Sequence, residues 1–388
     1  MGSKFQKKSN NSPFIGKEGK TIRMAVGIIK EHITITPCGT FTPDDIIVST
    51  LGMALNRKSA TEFCKTPEQM IPSSTTYRTC AGTIEYEELL INNQLIFGAF
   101  SDQILHKCRY YSFAIDETND PYYGEIVDEN QDFIIGGKQK KSTNFFYSYI
   151  TLYVVVRNKR VTLAVFPVRK SQNKVTFIKQ FTGIIREKGY NIRVLLLDRG
   201  FYSAEIFQYL QIEGIPHIMP VKASRKKLKE LLANKQIRDF SYTINENEEN
   251  AQEIKIKRYT FRRMKKEGKI EEKNLGFVYF GFDWSLLRIQ CEYKARFAIE
   301  ASYRMRNIVR PRTSTRNPVV RYFFAIVSFL LKNIWVVALM ENFRKKQRGP
   351  TVINRDWFRF EAFVERIWDK IRKMVSIQQH EKLVDDIT

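Results

Sequence analysis

Two acidic residues follow apolar runs that are typical of strands. Asp116 comes directly after the run 111–115, and Asp198 comes directly after the run 192–197. The carboxyl ends of strands are where open α/β sheets bind their ligands. If Glu300 converges on the same place, three carboxylates repel one another unless divalent cations neutralise them. The sequence therefore predicts a site for two Mg²⁺ ions, about 4 Å apart, that serves phosphodiester chemistry.

Glu300 lies in a strongly basic stretch with helical periodicity. It is the only acid between Lys294 and Arg321, where eight basic residues occur. On a helical wheel, one polar arc of about 80° collects five residues: Tyr293, Arg296, Glu300, Arg304 and Asn307. The adjoining arc is apolar and is predicted to face the core: Phe297, Ala301, Met305 and Ile308. An ordinary surface salt bridge of Glu300 is the alternative, which the strand-end acids weaken.

The elements that must position these acids alternate between strand and helix. Strands are predicted at 111–115, 145–156, 160–168, 192–197 and 216–221, with helices at 173–188 and 203–213. The order describes a mixed sheet with helices on its faces. Before it, helices are predicted at 43–56, 59–65, 74–81 and 85–108, so the first hundred residues form a helical domain.

Changes in composition predict the domain boundaries. The expected division is a helical N-terminal domain, two parts of the sheet domain separated by a basic β-rich insertion, and a helical tail: 1–108, 109–221, 222–288, 289–343 and 344–388. The insertion is predicted from strand-like alternation at 240–244, 253–261 and 277–282.

Composition limits the classes of partner and cofactor that are expected. With 64 Lys and Arg against 41 Asp and Glu among 388 residues, the net charge is +23, which favours nucleic acid over a membrane surface. The five cysteines include no C-x-x-C pair, so neither a zinc finger nor a disulfide framework is expected, and a reducing compartment fits better. The apolar stretch 319–340 is interrupted by charge, which indicates a core helix rather than a membrane span. Gly16–Gly19 lacks the spacing of a phosphate loop, so no nucleotide cofactor is expected.

The three acids and their surroundings resemble one family. Asp116 in AIDET, Asp198 in LLLDRGFYS and Glu300 in YKARFAIEASYRMRN are similar to the acids of D-D-E insertion-sequence transposases. Tyr293, Arg296 and Glu300 match the Y-(2)-R-(3)-E-(6)-K signature of the family-four type. The 101 residues between Asp198 and Glu300 fit that type's β-rich insertion, and the resemblance covers about residues 110–340.

The resemblance implies an α/β fold with an RNase H-like mixed sheet, flanking helices, a β-rich insertion before the catalytic Glu and an all-α N-terminal domain. It also implies that Asp116, Asp198 and Glu300 are catalytic and hold two Mg²⁺ ions, for which Mn²⁺ substitutes. Tyr293, Arg296 and the position of Asn307 would bind phosphates near the cleaved end. The signature's Lys is Asn307 here, and Arg304 and Arg306 are candidates to replace its charge.

Each further candidate for a DNA contact has two interpretations, and the sequence does not choose between them. Trp284 either stacks on a flipped base or packs at a strand end. Arg199 either contacts DNA or pairs with a core acid. The basic N-terminus, which includes Lys4, Lys7 and Lys8, is either a phosphate-binding arm or a solubilising tail. Six basic residues of the insertion either follow the DNA backbone or form a solvated face: Lys226, Lys227, Arg262, Arg263, Lys265 and Lys266.

The leading prediction is a cut-and-paste transposase that cuts double-stranded DNA at terminal inverted repeats and joins the 3′-hydroxyl to target DNA. It would act as a dimer in the synaptic complex, at the nucleoid of a prokaryotic cytoplasm. Two alternatives remain: a structure-selective RNase H-like nuclease, and a catalytically impaired DNA-binding derivative. Intact acids argue against the second alternative, whereas Asn307 favours it.

Overall fold

The structure is a computed structural model that describes residues 14, 16–66, 73–140, 142–156, 159–246, 248–264, 270–345, 352–353 and 358–385. The predicted basic arm at Lys4, Lys7 and Lys8 and the pair Lys265 and Lys266 lie outside these residues. The chain forms two compact units: a helical unit of Met1–Ile104 with Arg304–Thr388, and a sheet unit of Leu105–Tyr303.

The helices and strands follow one another in this order: α1 (Glu18–His32), α2 (Pro43–Asn56), α3 (Ala60–Phe63), α4 (Ser74–Ala81), α5 (Tyr86–Ser101), β1 (Tyr110–Pro121), β2 (Ile134–Lys140), β3 (Thr143–Val154), β4 (Thr162–Pro167), α6 (Lys174–Glu187), β5 (Asn191–Leu197), α7 (Ala204–Ile212), β6 (His217–Pro220), α8 (Lys226–Ala233), β7 (Asp239–Ile244), β8 (Gln252–Met264), β9 (Ile270–Phe280), α9 (Leu286–Ala295), α10 (Ala298–Ile308), α11 (Pro318–Asn342), β10 (Arg344–Lys345), β11 (Val352–Ile353) and α12 (Phe360–Asp385). A 3-10 turn lies at Arg199–Phe201.

The helical unit is built around α11. This helix is long and apolar enough to span a membrane, but its most apolar window is entirely buried, and it packs against α2 and α5. It is thus a core helix, as its interrupted hydropathy indicates. The helix α2 begins as expected: the Thr42 hydroxyl accepts a hydrogen bond from Asp45 N, the Asp45 carboxylate accepts from Thr42 N, and Pro43 occupies the first turn, where its missing N–H is harmless.

The sheet unit contains a mixed sheet of nine strands among the described residues. The order is β2-β3-β1-β5-β6-β9-β8-β7, and β4 pairs with β3. Strands β1, β5 and β6 run parallel, whereas β3 and β9 pair antiparallel at either side. The predicted mixed sheet with flanking helices and the helical N-terminal region are therefore confirmed. The strands of the predicted insertion, β7 to β9, continue the central sheet through β6.

Register brings Asp116 of β1 next to Asp198, which follows the last residue of β5. In the parallel pair of β1 and β5, the last partners are Ile115 and Leu197. Asp116 is the next residue of β1, and Asp198 directly follows β5. The two aspartates therefore lie side by side where the pairing of β1 with β5 stops. Because side chains alternate along a strand, both aspartates project to the same face as Ala114 and Leu196, two residues earlier.

That face is covered by the region of α9 and α10. Ala114 and Leu196 belong to one buried cluster with Ile289 of α9 and Ile299 of α10. The two helices therefore pack on the sheet face that carries Asp116 and Asp198. This packing is apolar burial of the ordinary kind, worth about 25 cal/mol per Å² of apolar surface, and it fixes the place of the polar residues between the helices.

Three sequence expectations are wrong in detail. The predicted continuous helix from Tyr293 to Asn307 is broken, because Arg296 and Phe297 lie in a turn between α9 and α10. Strand β1 does not end at Asp116 but continues to Pro121, because β3 pairs with it over that length. The structure also contains a disulfide, Cys38–Cys80. No spacing pattern indicates this pairing, because 42 residues separate the two cysteines.

The break also overturns the predicted apolar face. Phe297 was expected in the core, yet it is 49% exposed, and Ala301 is exposed as well. The buried side of α10 is instead formed by Ile299, Ser302 and Arg306. A single helical wheel drawn through residues 296–297 therefore assigns the residues after the turn to the wrong side of the helix.

Candidate active site

Arg296 connects two of the predicted acids. Its Nη1 lies 2.9 Å from Oδ2 of Asp116, and its Nη2 lies 3.6 Å from Oε1 of Glu300. The side chains of Arg296 and Asp116 are 7% and 13% exposed. Because the turn at 296–297 directs the guanidinium toward β1, one buried arginine joins a strand acid to a helix acid.

The electrostatics indicate that all three acids share one environment. Burial raises the pKa of Asp116 to about 6. Arg296 and the hydrogen bond from Glu117 N oppose this rise, whereas the negative charges of Asp198 and Glu300 add to it. Repulsion of a buried carboxylate by two neighbouring acids is a property expected of a cation site.

A hydroxyl pair ties α10 to the sheet next to Asp116. The Tyr303 hydroxyl lies 2.7 Å from Oγ1 of Thr151, and Thr151 is the residue of β3 that pairs with Asp116. Glu300 lies one helical turn before Tyr303. Tyr303 therefore positions the helix that carries Glu300. The sequence analysis missed this residue, although its spacing of three from Glu300 could have suggested a shared face.

Tyr293 is a core residue in this structure. It is 7% exposed, and its ring contacts Phe277 and Phe297. Its ring centroid lies 5.4 Å from the Arg296 guanidinium carbon. Burial raises the pKa of Tyr293, and Arg296 opposes that rise. Tyr293 thus packs beneath Arg296, where it limits the positions open to the guanidinium.

Trp284 lies in a stack of protein side chains. Its ring centroid is 4.0 Å from that of Phe282, with the planes 20° apart. The guanidinium carbons of Arg288 and Arg193 lie 4.2 Å and 5.5 Å from its centroid. Of the two interpretations left open by the sequence, this arrangement favours packing at the strand end.

The residues after Asp198 form a second polar group. Arg199 is exposed and begins the 3-10 turn, and its charge acts on the hydroxyl of Tyr259 in β8. On the adjacent side, the Lys174 ammonium lies 3.1 Å from Oε2 of Glu117 and 5.2 Å from the centroid of Phe201. Lys174 is a further basic residue near the carboxyl ends of β1 and β5 that the sequence analysis did not identify.

Arg304 and Asn307 occupy the later turns of α10. Both are exposed, and their spacing from Glu300 is four and seven residues, which places them on one side of the helix. The boundary between the two compact units falls between Tyr303 and Arg304, so these two residues are counted with the helical unit.

Comparison with known families identifies the domain that contains the sheet. A family model described as the transposase DDE domain matches residues 108–342, which is more than half of the chain. The chain belongs to this family. The match includes Asp116, Asp198 and Glu300, while the finer family-four signature remains a prediction.

The fold of this DDE-family chain is similar to that of a solved transposase. The solved structure is a cryo-EM structure of the piggyBac transposase synaptic complex with hairpin DNA, with a TM-score of 0.57 and 11% sequence identity. The alignment covers 95% of this chain and 80% of that chain. At this identity the likeness supports the fold alone. No curated protein sequence matches the chain.

The donor chemistry of the DDE-family site suits divalent cations. Asp116, Asp198 and Glu300 offer only carboxylate oxygens, which are the ligands that Mg²⁺ and Mn²⁺ accept. Among the residues that the structure describes, however, no three such side chains lie close enough to surround one ion. One oxygen of Asp116 is bonded to Arg296. The residues fit the ions by type, and the guanidinium occupies part of the space between them.

Proposed function

We propose that the protein is a DNA transposase that cuts the ends of an insertion sequence and joins them to target DNA by cut-and-paste transposition. The observation that carries this proposal is that Arg296 bridges Asp116 of β1 and Glu300 of α10, while the charges of Asp198 and Glu300 act on Asp116. The family match over the same residues supports it.

The proposed reaction has two steps at phosphorus. Water attacks a phosphodiester at the element end and displaces the 3′-oxygen as a free hydroxyl. That hydroxyl then attacks a target phosphodiester, forms the new ester bond and displaces the 3′-oxygen of the cut target strand. Asp116, Asp198 and Glu300 would hold two Mg²⁺ ions, which supply Lewis acidity and activate the attacking oxygen when bound. Mn²⁺ is expected to substitute.

The basic residues around the acids would orient the DNA. Arg296 has the fork geometry that binds a phosphate through two N–H groups. Arg304 and Asn307 would add contacts along α10, and exposed Arg199 follows Asp198 in the 3-10 turn after β5. Tyr293 would act by holding Arg296, and Trp284 is assigned to DNA only if its stack opens. The net charge of +23 supplies long-range attraction to DNA.

The assembly and location follow from the proposed reaction. Two terminal inverted repeats must be held together, so we propose a dimer in the synaptic complex. The related piggyBac structure, described as a synaptic complex with hairpin DNA, supports double-stranded DNA ends as partners. The proposed location is the nucleoid of a prokaryotic cytoplasm, with no nucleotide cofactor.

A cleavage assay tests the proposal. The substrate is a plasmid that carries this reading frame with its flanking DNA, incubated with the protein and Mg²⁺ or Mn²⁺, and all new 3′ ends are mapped. Breaks at inverted repeats that depend on the metal support the transposase. Scattered breaks would indicate a structure-selective nuclease instead.

A second candidate is a catalytically impaired derivative that only binds DNA. The observation that favours it is Asn307 at the position of the signature's Lys, which removes one cation. Tight, salt-sensitive binding of the flanking DNA without any breaks would select this candidate.

A further inference from the structure

Arg296 is held by acids on both sides. One nitrogen of its guanidinium bonds to Asp116 at 2.9 Å and the other lies 3.6 Å from Glu300, while its Nε has no hydrogen-bond partner among the described residues. A buried donor without a partner costs free energy. The position is therefore set by the attraction of the carboxylates rather than by complete hydrogen bonding of the guanidinium.

The positive charge of Arg296 does not balance the negative charges of the three acids. Asp198 and Glu300 raise the energy of the ionised Asp116, and a single guanidinium balances only one of the three negative charges. Like charges in contact repel strongly where burial limits screening by water. A divalent ion at Asp116 would thus repel Arg296 strongly while the guanidinium remains bonded there.

We propose that Arg296 is a tethered cation that occupies Asp116 in the metal-free protein and that divalent metal must displace. This inference rests on the proposed function, because it takes the three acids as the metal ligands. The displaced guanidinium keeps its fork of donors and becomes available to a DNA phosphate. Metal and DNA phosphate then favour the same position of Arg296, which couples their binding reciprocally.

A permanent structural ion pair is the competing explanation. In that case the guanidinium organises the site, and its removal would leave Asp116 misplaced and the metal site weaker. The two explanations predict opposite changes in metal affinity. Arg199, which is exposed and next to Asp198 in sequence, provides a matched removal of one positive charge without a bond to Asp116.

The experiment measures Mn²⁺ binding to the full chain without DNA, by electron paramagnetic resonance of free Mn²⁺. We expect Arg296→Gln to tighten binding by about tenfold or more and Arg199→Gln to change it by less than about threefold. Thermal unfolding checks that each variant is folded. If Arg296→Gln fails to fold, Arg296→Met replaces it; this variant keeps a long unbranched side chain without the charge, and should tighten binding by about tenfold or more.

The outcomes separate this inference from the proposed function. Unchanged or weaker Mn²⁺ binding in the Arg296 variants, with binding lost in Asp198→Asn, would overturn the tethered cation and leave the metal site in place. Absence of Mn²⁺ binding in the wild type and in every variant would overturn both. Tighter binding in the Arg296 variants alone supports the displacement.

Discussion

The guanidinium of Arg296 lies 2.9 Å from the carboxylate of Asp116, although 180 residues separate the two in sequence. This contact joins the central strand β1 to the turn between α9 and α10. It sets the distance between the strand acids and Glu300, because Glu300 is one helical turn beyond Arg296. The geometry of the candidate site therefore depends on one long-range ion pair.

The raised pKa of Asp116 predicts a pH dependence of stability. Its ordinary value is 3.8 and burial raises it to about 6, so the folded state binds this proton more tightly than the unfolded state. The contribution of Asp116 to the free energy of unfolding is full below about pH 4 and is lost as pH rises through about 6. Asp116→Asn removes the titrating carboxyl, so the stability of the variant does not fall with this titration as pH rises. The variant should therefore gain stability relative to wild type between those pH values, measured by urea unfolding without divalent ions.

Asp283 provides the control for that measurement. It is exposed, and a hydrogen bond from Lys257 lowers its pKa. Asp283→Asn should show no relative gain across the same range. A flat difference for Asp116→Asn would contradict the raised pKa.

The proposed role of Asp198 as a metal ligand predicts that DNA cleavage and DNA binding can be separated. Asp198→Asn keeps the size of the side chain and removes its charge, so we expect DNA cleavage to fall by more than about a hundredfold. DNA affinity, measured by a filter assay at fixed salt, should change by less than about threefold because Asp198 is not a phosphate-binding cation. A parallel loss of cleavage and affinity would refute the assignment.

The positions of the strand acids could be predicted from sequence because they depend on local pattern. Apolar runs before Asp116 and Asp198 are characteristic of central strands, and parallel pairing then brings the two runs side by side, although β1 continues beyond Asp116. The register of Ile115 with Leu197 is the tertiary form of that pattern. The net charge of +23 likewise predicts a polyanionic partner from sequence alone, since charge does not depend on the fold.

The helix break could not be predicted from sequence because nothing local requires it. Residues 293–308 contain neither Gly nor Pro, so periodicity alone favours one helix. The turn at Arg296 forms beside the bond to Asp116, which is a contact across 180 residues. The role of Tyr303 was missed for the same reason, because its partner Thr151 lies on a strand 152 residues earlier.

The hydroxyl pair of Tyr303 and Thr151 predicts a positioning effect. Tyr303→Phe removes the hydroxyl and should reduce the cleavage rate by about tenfold, because small displacements of a catalytic group are costly. The free energy of unfolding should fall by only about 1 kcal/mol. Thr151→Val should have a similar effect, and the double variant should be no worse than either single one. Additive losses in the double variant would argue against a shared role.

The stack around Trp284 predicts a structural effect of its removal. Trp284→Ala loses contacts with Phe282 and Arg288, so we expect the free energy of unfolding to fall by about 1–3 kcal/mol. A 2-aminopurine base at the mapped DNA end reports base stacking through its fluorescence. We expect the same fluorescence with wild type and variant. A variant of normal stability that changes the fluorescence would instead establish Trp284 as a base-stacking residue.

Asn307 is the departure from the resembled signature, and restoring the cation tests its meaning. Asn307 is exposed on α10, on the side of Glu300 and Arg304, so Asn307→Lys adds a positive charge where a phosphate is expected. We expect cleavage to stay equal or to rise up to about tenfold, with steeper salt dependence of DNA binding by about one counterion. Asn307→Gln, which adds length without charge, is the control and should leave both unchanged. A large loss of cleavage in Asn307→Lys alone would show that the signature is aligned wrongly beyond Glu300.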